Sequence, residues 1–371
     1  MENRFFKEIK GKFGFGCMRL PMLGEQVDLP QFEKMVDAFL AAGLNYFDTA
    51  HVYIGGQSET ALRQCLTSRY PRGAFVLTNK LSGSCFEKEE DIRPFFRSQL
   101  EACGVEYFDF YLMHAQSAKN FPKYKACRAY ETAFELKKEG KIRHVGISFH
   151  DTAETLDRIL TEYPEIEAVQ IQFNYVDYED AVVQSRRVYE TAVRHGKPVI
   201  VMEPVKGGKL VELPDEAQQV FDALHGGSSA SYAIRFAAGF ENMMMVLSGM
   251  STIEQLEENV SYMADFRPLS EAERAAVERV QTIFRSQGLI PCTACRYCVD
   301  GCPKRILIPD LFSAMNAKKQ FPKSDHSWLY EMRTQEHGKA SDCIKCGACE
   351  RICPQKLPVR KLLEEVAEAF E

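Results

Sequence analysis

Between Phe13 and Met263 the chain alternates eight short apolar runs with longer segments whose apolar residues return every three to four positions. The runs read FGFGCMRL (13–20), NYFDTA (45–50), AFVLTNKL (74–81), DFYLMHA (109–115), HVGISFH (144–150), AVQIQFN (168–174), PVIVMEPV (198–205) and MMMVLSGM (243–250). In the first intervening segment Phe32, Met35, Val36, Phe39 and Leu40 share one helical face, and Gly43 stands where a helix would end. Strict strand and helix alternation requires crossover connections and hence a parallel sheet. Eight units in roughly 250 residues have the size of a (β/α)8 barrel, so the predicted fold class is α/β, a TIM barrel. A doubly wound sheet would carry G-x-G-x-x-G after its first strand, but Gly14, Phe15, Gly16, Cys17, Met18 and Arg19 lack the third glycine. The run KGGKL (206–210) lacks the spacing and the Ser or Thr of a Walker A loop.

Beyond Phe266 the pattern changes to a polar, heptad-like helix and then to a cysteine cluster. The expected division is a barrel at 1–285 and a small, mostly helical module at 286–371. The formal charge of -6 shows none of the basic excess that drives nucleic-acid binding. The first ten residues, MENRFFKEIK, carry charges through what would be the apolar core of a signal peptide, and no later run approaches the ~18 apolar residues of a membrane span. A soluble, cytoplasmic protein with neither nucleic-acid nor membrane partners is expected.

Of thirteen Cys, eight lie between Cys292 and Cys353. PCTACRYCVDGCP sets Cys292, Cys295, Cys298 and Cys302 in C-x2-C-x2-C-x3-C-P, and DCIKCGACERICP repeats it with Cys343, Cys346, Cys349 and Cys353. In this bacterial ferredoxin run three thiolates hold three corners of a [4Fe-4S] cube and the fourth reaches to the other cluster. Cys292, Cys295, Cys298 and Cys353 should therefore hold one cluster, and Cys343, Cys346, Cys349 and Cys302 the second. Zinc sites usually show two separated Cys pairs. The stretches IPDLFSAMNAKKQ and SDHSWLYEMRTQEHGK between the runs read as helices, so the module resembles the α-helical ferredoxin domains attached to redox enzymes.

Barrel chemistry sits at the C-terminal ends of strands. There this chain offers Asp48, Lys80, His114, Ser148 with His150, and Gln170 with Asn174, while Tyr53 follows Asp48 by five residues. A lysine ammonium beside a phenol favours phenolate and lowers the Tyr pKa, the carboxylate keeps the lysine charged, and His114 can donate to a carbonyl oxygen. Cys85, in the loop after Lys80, reads as a small buried hydrophobe.

FDTAHVY, LTNKL and YLMHA resemble the catalytic segments of the aldo-keto reductase superfamily over about residues 10 to 265. The resemblance implies reduction of a small-molecule carbonyl substrate with NADPH, without a Rossmann domain. It casts Tyr53 as general acid, Lys80 as the group lowering its pKa, Asp48 as the partner of Lys80 and His114 as the residue orienting the carbonyl. LSGMSTIEQLEEN resembles the cofactor signature around strand eight, with Glu258 and Asn259 on the adenine side. Phe149 follows Ser148 where the family has Asn for the carboxamide, and Met202 beside Glu203 occupies the place of the stacking aromatic. Gly249, Met250, Ser251 and Gln255 replace the cations for the 2′-phosphate. Gln170 still suits the carboxamide.

The expected function is an oxidoreductase acting on a carbonyl or alcohol, with NADP or NAD in the barrel and electron transfer through the clusters. The alternatives are an electron-transfer protein whose barrel is a scaffold or docking domain, and clusters that serve only structure. Hydride carries two electrons and each cluster one, which calls for a flavin converter. That flavin would belong either to a redox partner protein or to the barrel, with its phosphate near Lys206 and Gly207 and near Gly249 to Ser251.

Overall fold

The computed structural model describes residues 3–371 except 182, 225, 287, 291, 293, 295 and 354. Eight parallel strands close into a barrel: β1 (Phe13–Gly16), β2 (Tyr46–Asp48), β3 (Val76–Leu81), β4 (Phe108–Gln116), β5 (Ile142–Phe149), β6 (Ala168–Gln172), β7 (Val199–Met202) and β8 (Met243–Ser248). Each strand pairs with its sequence neighbour, and β1 pairs with β8 at Phe13–Val246 to complete the ring. All eight expected runs form strands, several of them shorter than their apolar stretch. The first run stops at Gly16, and Met22–Leu23 pairs with Gln26–Val27 as a small hairpin around Gly24. The seventh stops at Met202, since Glu203 takes a left-handed φ of 56° and Pro204 has no N–H to continue the ladder.

Period-two alternation sorts the strand residues into two cores. Phe13, Phe15, Phe47, Leu77, Tyr111, Val145, Ile147, Val169 and Val201 point outward under the helices. Tyr46, Val76, Phe110, Leu112, Ala168, Ile200 and Met245 fill the barrel interior, where Phe5, Phe6 and Ile9 pack on them as a plug at the N-terminal end. The helix Leu29–Ala41 shows how the outer layer is specified. Asp28 caps it by accepting from the Gln31 N–H at 3.1 Å, Phe32, Met35, Val36 and Phe39 are buried, and Gly43 leaves it at φ 80°.

The chain divides into two compact units: residues 1–178, 185–207 and 230–270, which hold the barrel, and residues 179–184, 208–229 and 271–371. In the second unit Glu271–Ser286 packs with Asp215–Asp222, and Ile308–Gln320 with Val359–Phe370, around Ile306, Leu311, Phe312, Leu363 and Val366. Both segments expected to be helical between the cysteine runs contain helices, Ile308–Gln320 and Ser327–Thr334.

Gly146 shows how tightly the interior is filled. A Cβ there would stand 2.6 Å from Leu112 Cδ2 and 2.7 Å from the Ala168 carbonyl oxygen, and backbone cannot yield as a side chain can. Gly146→Ala is expected to cost about 1–3 kcal/mol by overpacking, read as a lower urea midpoint at unchanged slope.

Candidate active site and cluster sites

Lys80, next to last on β3, has its ammonium inside the barrel and is 0 % exposed. Such a charge persists only with matched partners. Its Nζ donates to Asp48 Oδ1 at 2.5 Å and to the Thr49 carbonyl at 2.9 Å, and the second Asp48 oxygen accepts from Gln170 Nε2 at 3.0 Å. Tyr53 lies in the loop after β2, immediately before Ile54 and Gly55 at left-handed φ, with its ring 4.7 Å from Lys80 Nζ. The His114 ring stands edge-on to Tyr53 at 6.1 Å, with Nδ1 2.7 Å from Ser82 Oγ. Asp48, Tyr53, Lys80 and His114, taken from three strands and one loop, therefore form one constellation.

Burial raises the Asp48 pKa, with Lys80 opposing. Burial pulls Lys80 down, but Asp48 and Tyr53 together outweigh it and the ammonium is held above its ordinary range. The expectation that Lys80 would leave Tyr53 with a lowered pKa needs correction. Lys80 does act downward, but burial is the larger effect and the phenol lies above its ordinary value, protonated at neutral pH. His114 is pushed down to about 3 by burial, then by Lys80 and His150, so its ring is neutral.

Behind this group lies a polar network that sequence reasoning missed. The buried Glu59 accepts from Asn79 Nδ2 at 2.8 Å and from Gln99 Nε2 at 3.3 Å, and its other oxygen is 2.8 Å from His51 Nδ1. Gln99 also donates to the Lys80 carbonyl, Asn79 Oδ1 accepts from the Lys80 N–H, and Tyr111 donates to Gln99 Oε1. The network clamps the backbone of Lys80 on both sides. Single polar residues in helix or strand give no signal of such a junction.

The expected cofactor residues divide. Ser148 Oγ accepts from the Ala115 N–H at 2.8 Å, holding a left-handed turn on β4. Lys206, expected near a flavin phosphate, is ion-paired instead with the buried Asp177, which Gln172 and Asn174 also bind. Met202 ends β7 and Glu203 follows it, with the Glu203 carbonyl accepting from Asn174 Nδ2. Gly207 is in a left-handed turn and Gly249 is exposed in the loop after β8. Met250 is buried in the core. The Ser251 N–H donates to Gln255 Oε1 at 2.8 Å, which turns the Gln255 amide onto its own loop. Glu258 is exposed, whereas Asn259 is buried and ties its helix to Ser248 Oγ, so its amide serves the fold. Cys85, expected to be buried, is partly exposed.

Arg19, read as part of a strand, emerges as a further site residue. It lies in the loop after β1, exposed, with a side chain that passes both glycines. A Cβ at Gly207 would stand 3.4 Å from its Nη2, and one at Gly249 3.1 Å from its Cβ. Among the described residues no carboxylate pairs with it. Barrels commonly bind phosphate between the loops after strands seven and eight, where these glycines are.

In the second unit two hollows gather the clustered cysteines. One, about 340 Å³, is lined by Cys292, Cys298 and Cys353 with Arg296, Ile308 and Phe312. The other, about 330 Å³, is lined by Cys302, Cys343, Cys346 and Cys349 with Ile306 and Ile308. Cys295 lies outside the described residues. The fourth cysteine of each run thus lines the hollow of the other. The runs are also geometric repeats: Ala294 and Lys345, Arg296 and Gly347, and Arg305 and Lys356 take left-handed φ at matching positions. Six such residues in so short a span curl the backbone around each hollow. Among the described residues no three His, Cys, Asp or Glu side chains converge as on a single metal ion. A ring of cysteines on the walls of a hollow suits a multi-atom cube.

Residues 12–282 match the aldo/keto reductase family, and residues 291–357 match a 4Fe-4S dicluster domain. An aldo-keto reductase of Mycobacterium avium (strain 104) is 26% identical over 245 residues, 65% of this chain and 80% of that protein. The NADH-specific methylglyoxal reductase of Escherichia coli (strain K12) is 26% identical over 270 residues, 61% of this chain and 81% of its own. In fold the chain is similar to an aldo-keto reductase from Bacillus halodurans in its holo form, with a TM-score of 0.61, 23% identity and coverage of 76% of this chain and 95% of that one. An aldo-keto reductase from Klebsiella pneumoniae in complex with NADPH gives a TM-score of 0.58 at 21% identity, covering 73% and 90%. With a closed eight-stranded barrel, a family match across most of the chain and a second match over the paired cysteine runs, this protein belongs to the aldo/keto reductase family and carries a C-terminal 4Fe-4S dicluster domain.

Proposed function

We propose that this enzyme reduces a small carbonyl compound, or oxidises the corresponding alcohol, at the barrel mouth with a nicotinamide dinucleotide, and that its C-terminal domain carries single electrons on two [4Fe-4S] clusters. The observation that carries the reading is the buried Lys80 ammonium, bonded to Asp48 on one side and facing the Tyr53 ring at 4.7 Å on the other. When bound, the nicotinamide supplies the hydride. Tyr53, protonated at neutral pH, gives its proton to the carbonyl oxygen as negative charge develops there. Lys80 then stabilises the phenolate left behind, an interaction strongest at that moment and therefore catalytic. His114 Nδ1 stands 2.7 Å from the Ser82 hydroxyl; with Ser82 as the donor, the neutral ring would carry its proton on Nε2, available to the same oxygen. The Gln170 Nε2 is taken by Asp48, which leaves Oε1 to accept from a carboxamide NH2.

The loops at Gly207 and Gly249, with the Arg19 side chain lying along both and its guanidinium at Gly207, suit the dinucleotide's phosphates. Gly249, Met250, Ser251 and Gln255 supply no cation for a 2′-phosphate, so NADH and NADPH should bind with similar affinity. Lys206 is neutralised by Asp177, which removes the support for a flavin phosphate at that residue. Conversion between hydride and single electrons then falls to a partner. The exchange of Cys302 and Cys353 between the hollows supports the two-cluster assignment. We set the boundary between the domains near residue 285, in the stretch between the two family matches.

Three outcomes are expected. Tyr53→Phe lowers carbonyl turnover by about 10²- to 10⁴-fold, the range for loss of a positioned acid, with circular dichroism and iron content unchanged. Full turnover in that variant would leave the barrel as a scaffold. Arg19→Gln weakens NADH and NADPH together, by about tenfold in fluorescence titration, the size of one charge-assisted contact. A loss confined to NADPH would instead make Arg19 a reader of the 2′-phosphate. Anaerobic iron analysis gives eight atoms per chain, and Cys302→Ala disturbs the cluster held by Cys343, Cys346 and Cys349 first; about four iron atoms, or zinc, in the unaltered protein rejects the assignment.

A further inference from the structure

The two cysteine hollows differ in what surrounds them. At the second, Cys346 is exposed at the surface; Ile344, which lines the same hollow, and Ile352, next to the Arg351 that bonds the Cys346 carbonyl, are 57% and 52% exposed. Lys304 lines the same hollow, Arg305 follows it in a left-handed turn, and Arg351 donates from Nη1 to the Cys346 carbonyl at 3.2 Å. Nearby carboxylates are already matched: Glu350 by Arg360 at 2.8 Å and Glu364 by Lys345 at 2.6 Å. Two more border the patch, Asp300 on the short helix alongside and Asp342, whose side chain accepts from the Lys339 N–H. Lys304, Arg305 and Arg351 have no carboxylate partner among the described residues. They keep this face positive on a chain whose net charge is -6.

Resting on the reading that the second hollow holds a [4Fe-4S] cluster, we propose that this face is the docking surface for a small acidic one-electron carrier protein. Ile344 and Ile352 provide the apolar centre that a transient interface needs, and the three cations provide the steering field around it. With Cys346 at the surface, a cluster held there would lie close to the contact, and an electron would have little protein to cross. The step balances without a co-reactant. The reduced carrier loses one electron, the oxidised cluster gains it, and no bond or proton is exchanged. Attraction between opposite charges should raise the association rate by 10- to 10³-fold and should fade with salt.

The test is stopped-flow reduction of the full-length protein, followed by cluster absorbance under anaerobic conditions, with reduced flavodoxin as the acidic carrier and methyl viologen radical as a small cationic reductant. Unaltered protein should be reduced by flavodoxin at a rate that falls steeply as salt is added. Combining Lys304→Glu, Arg305→Glu and Arg351→Glu should lower the low-salt flavodoxin rate at least about tenfold and flatten its salt dependence. Reduction by methyl viologen should be no slower and iron content unchanged. Ile344→Asp should slow flavodoxin alone, through lost apolar contact and added repulsion. A salt-insensitive rate in the unaltered protein, or an undiminished rate in the charge-reversed variant, overturns the docking surface. Absence of iron in the unaltered protein would instead overturn the cluster reading on which it rests.

Discussion

A lysine ammonium with no exposure inside a protein core carries a desolvation cost of several kcal/mol, and the barrel is arranged around meeting it. Asp48, from the neighbouring strand, supplies the counter-charge and the Thr49 carbonyl accepts a second hydrogen bond from the ammonium. Gln170, from across the barrel, occupies the other carboxylate oxygen. Removing one member of such a group leaves an unpaired buried charge, so the site and the fold share the same residues. Glu59, Asn79, Gln99 and Tyr111 extend the arrangement outward by fixing the backbone from which Lys80 projects. In the proposed reaction the pair would offer a fixed positive charge that need not reorganise as a phenolate forms beside it.

Electrostatics also separates the roles of the other cations at the barrel mouth. Lys206 looks available in the sequence but is neutralised by Asp177, itself held by Gln172 and Asn174. Arg19 looks unremarkable in the sequence but crosses two glycines with no carboxylate against it. Whether a cation is available to a ligand depends on what else is near it, and spacing along the chain does not report that.

In the second unit the organising constraint is geometric. Each cysteine run must wrap a hollow, and three left-handed residues at matching positions of each run accomplish the curl. Only one of these six is glycine. Non-glycine residues at positive φ carry strain, which a bound cluster could hold in place through four ligand bonds. Ile308 lines both hollows, so the same helix start that builds the small apolar core also separates the two sites.

The barrel was legible in the sequence because its signal is repetitive: eight apolar runs, each followed by a helical period, leave little freedom in topology. The constellation of Asp48, Tyr53, Lys80 and His114 was legible because three of its members stand at strand ends, where side chains converge in any such barrel. That the fourth cysteine of each run lines the hollow of the other was legible from spacing alone. Only tertiary structure decided the rest. Burial outweighing the Lys80 charge at Tyr53, Asp177 quenching Lys206, Asn259 turned to the fold and Arg19 set between two loops all depend on residues from distant segments meeting. Pattern along a chain encodes which element a residue belongs to. The charge state and availability of a side chain are set by neighbours that only folding brings within a few ångströms.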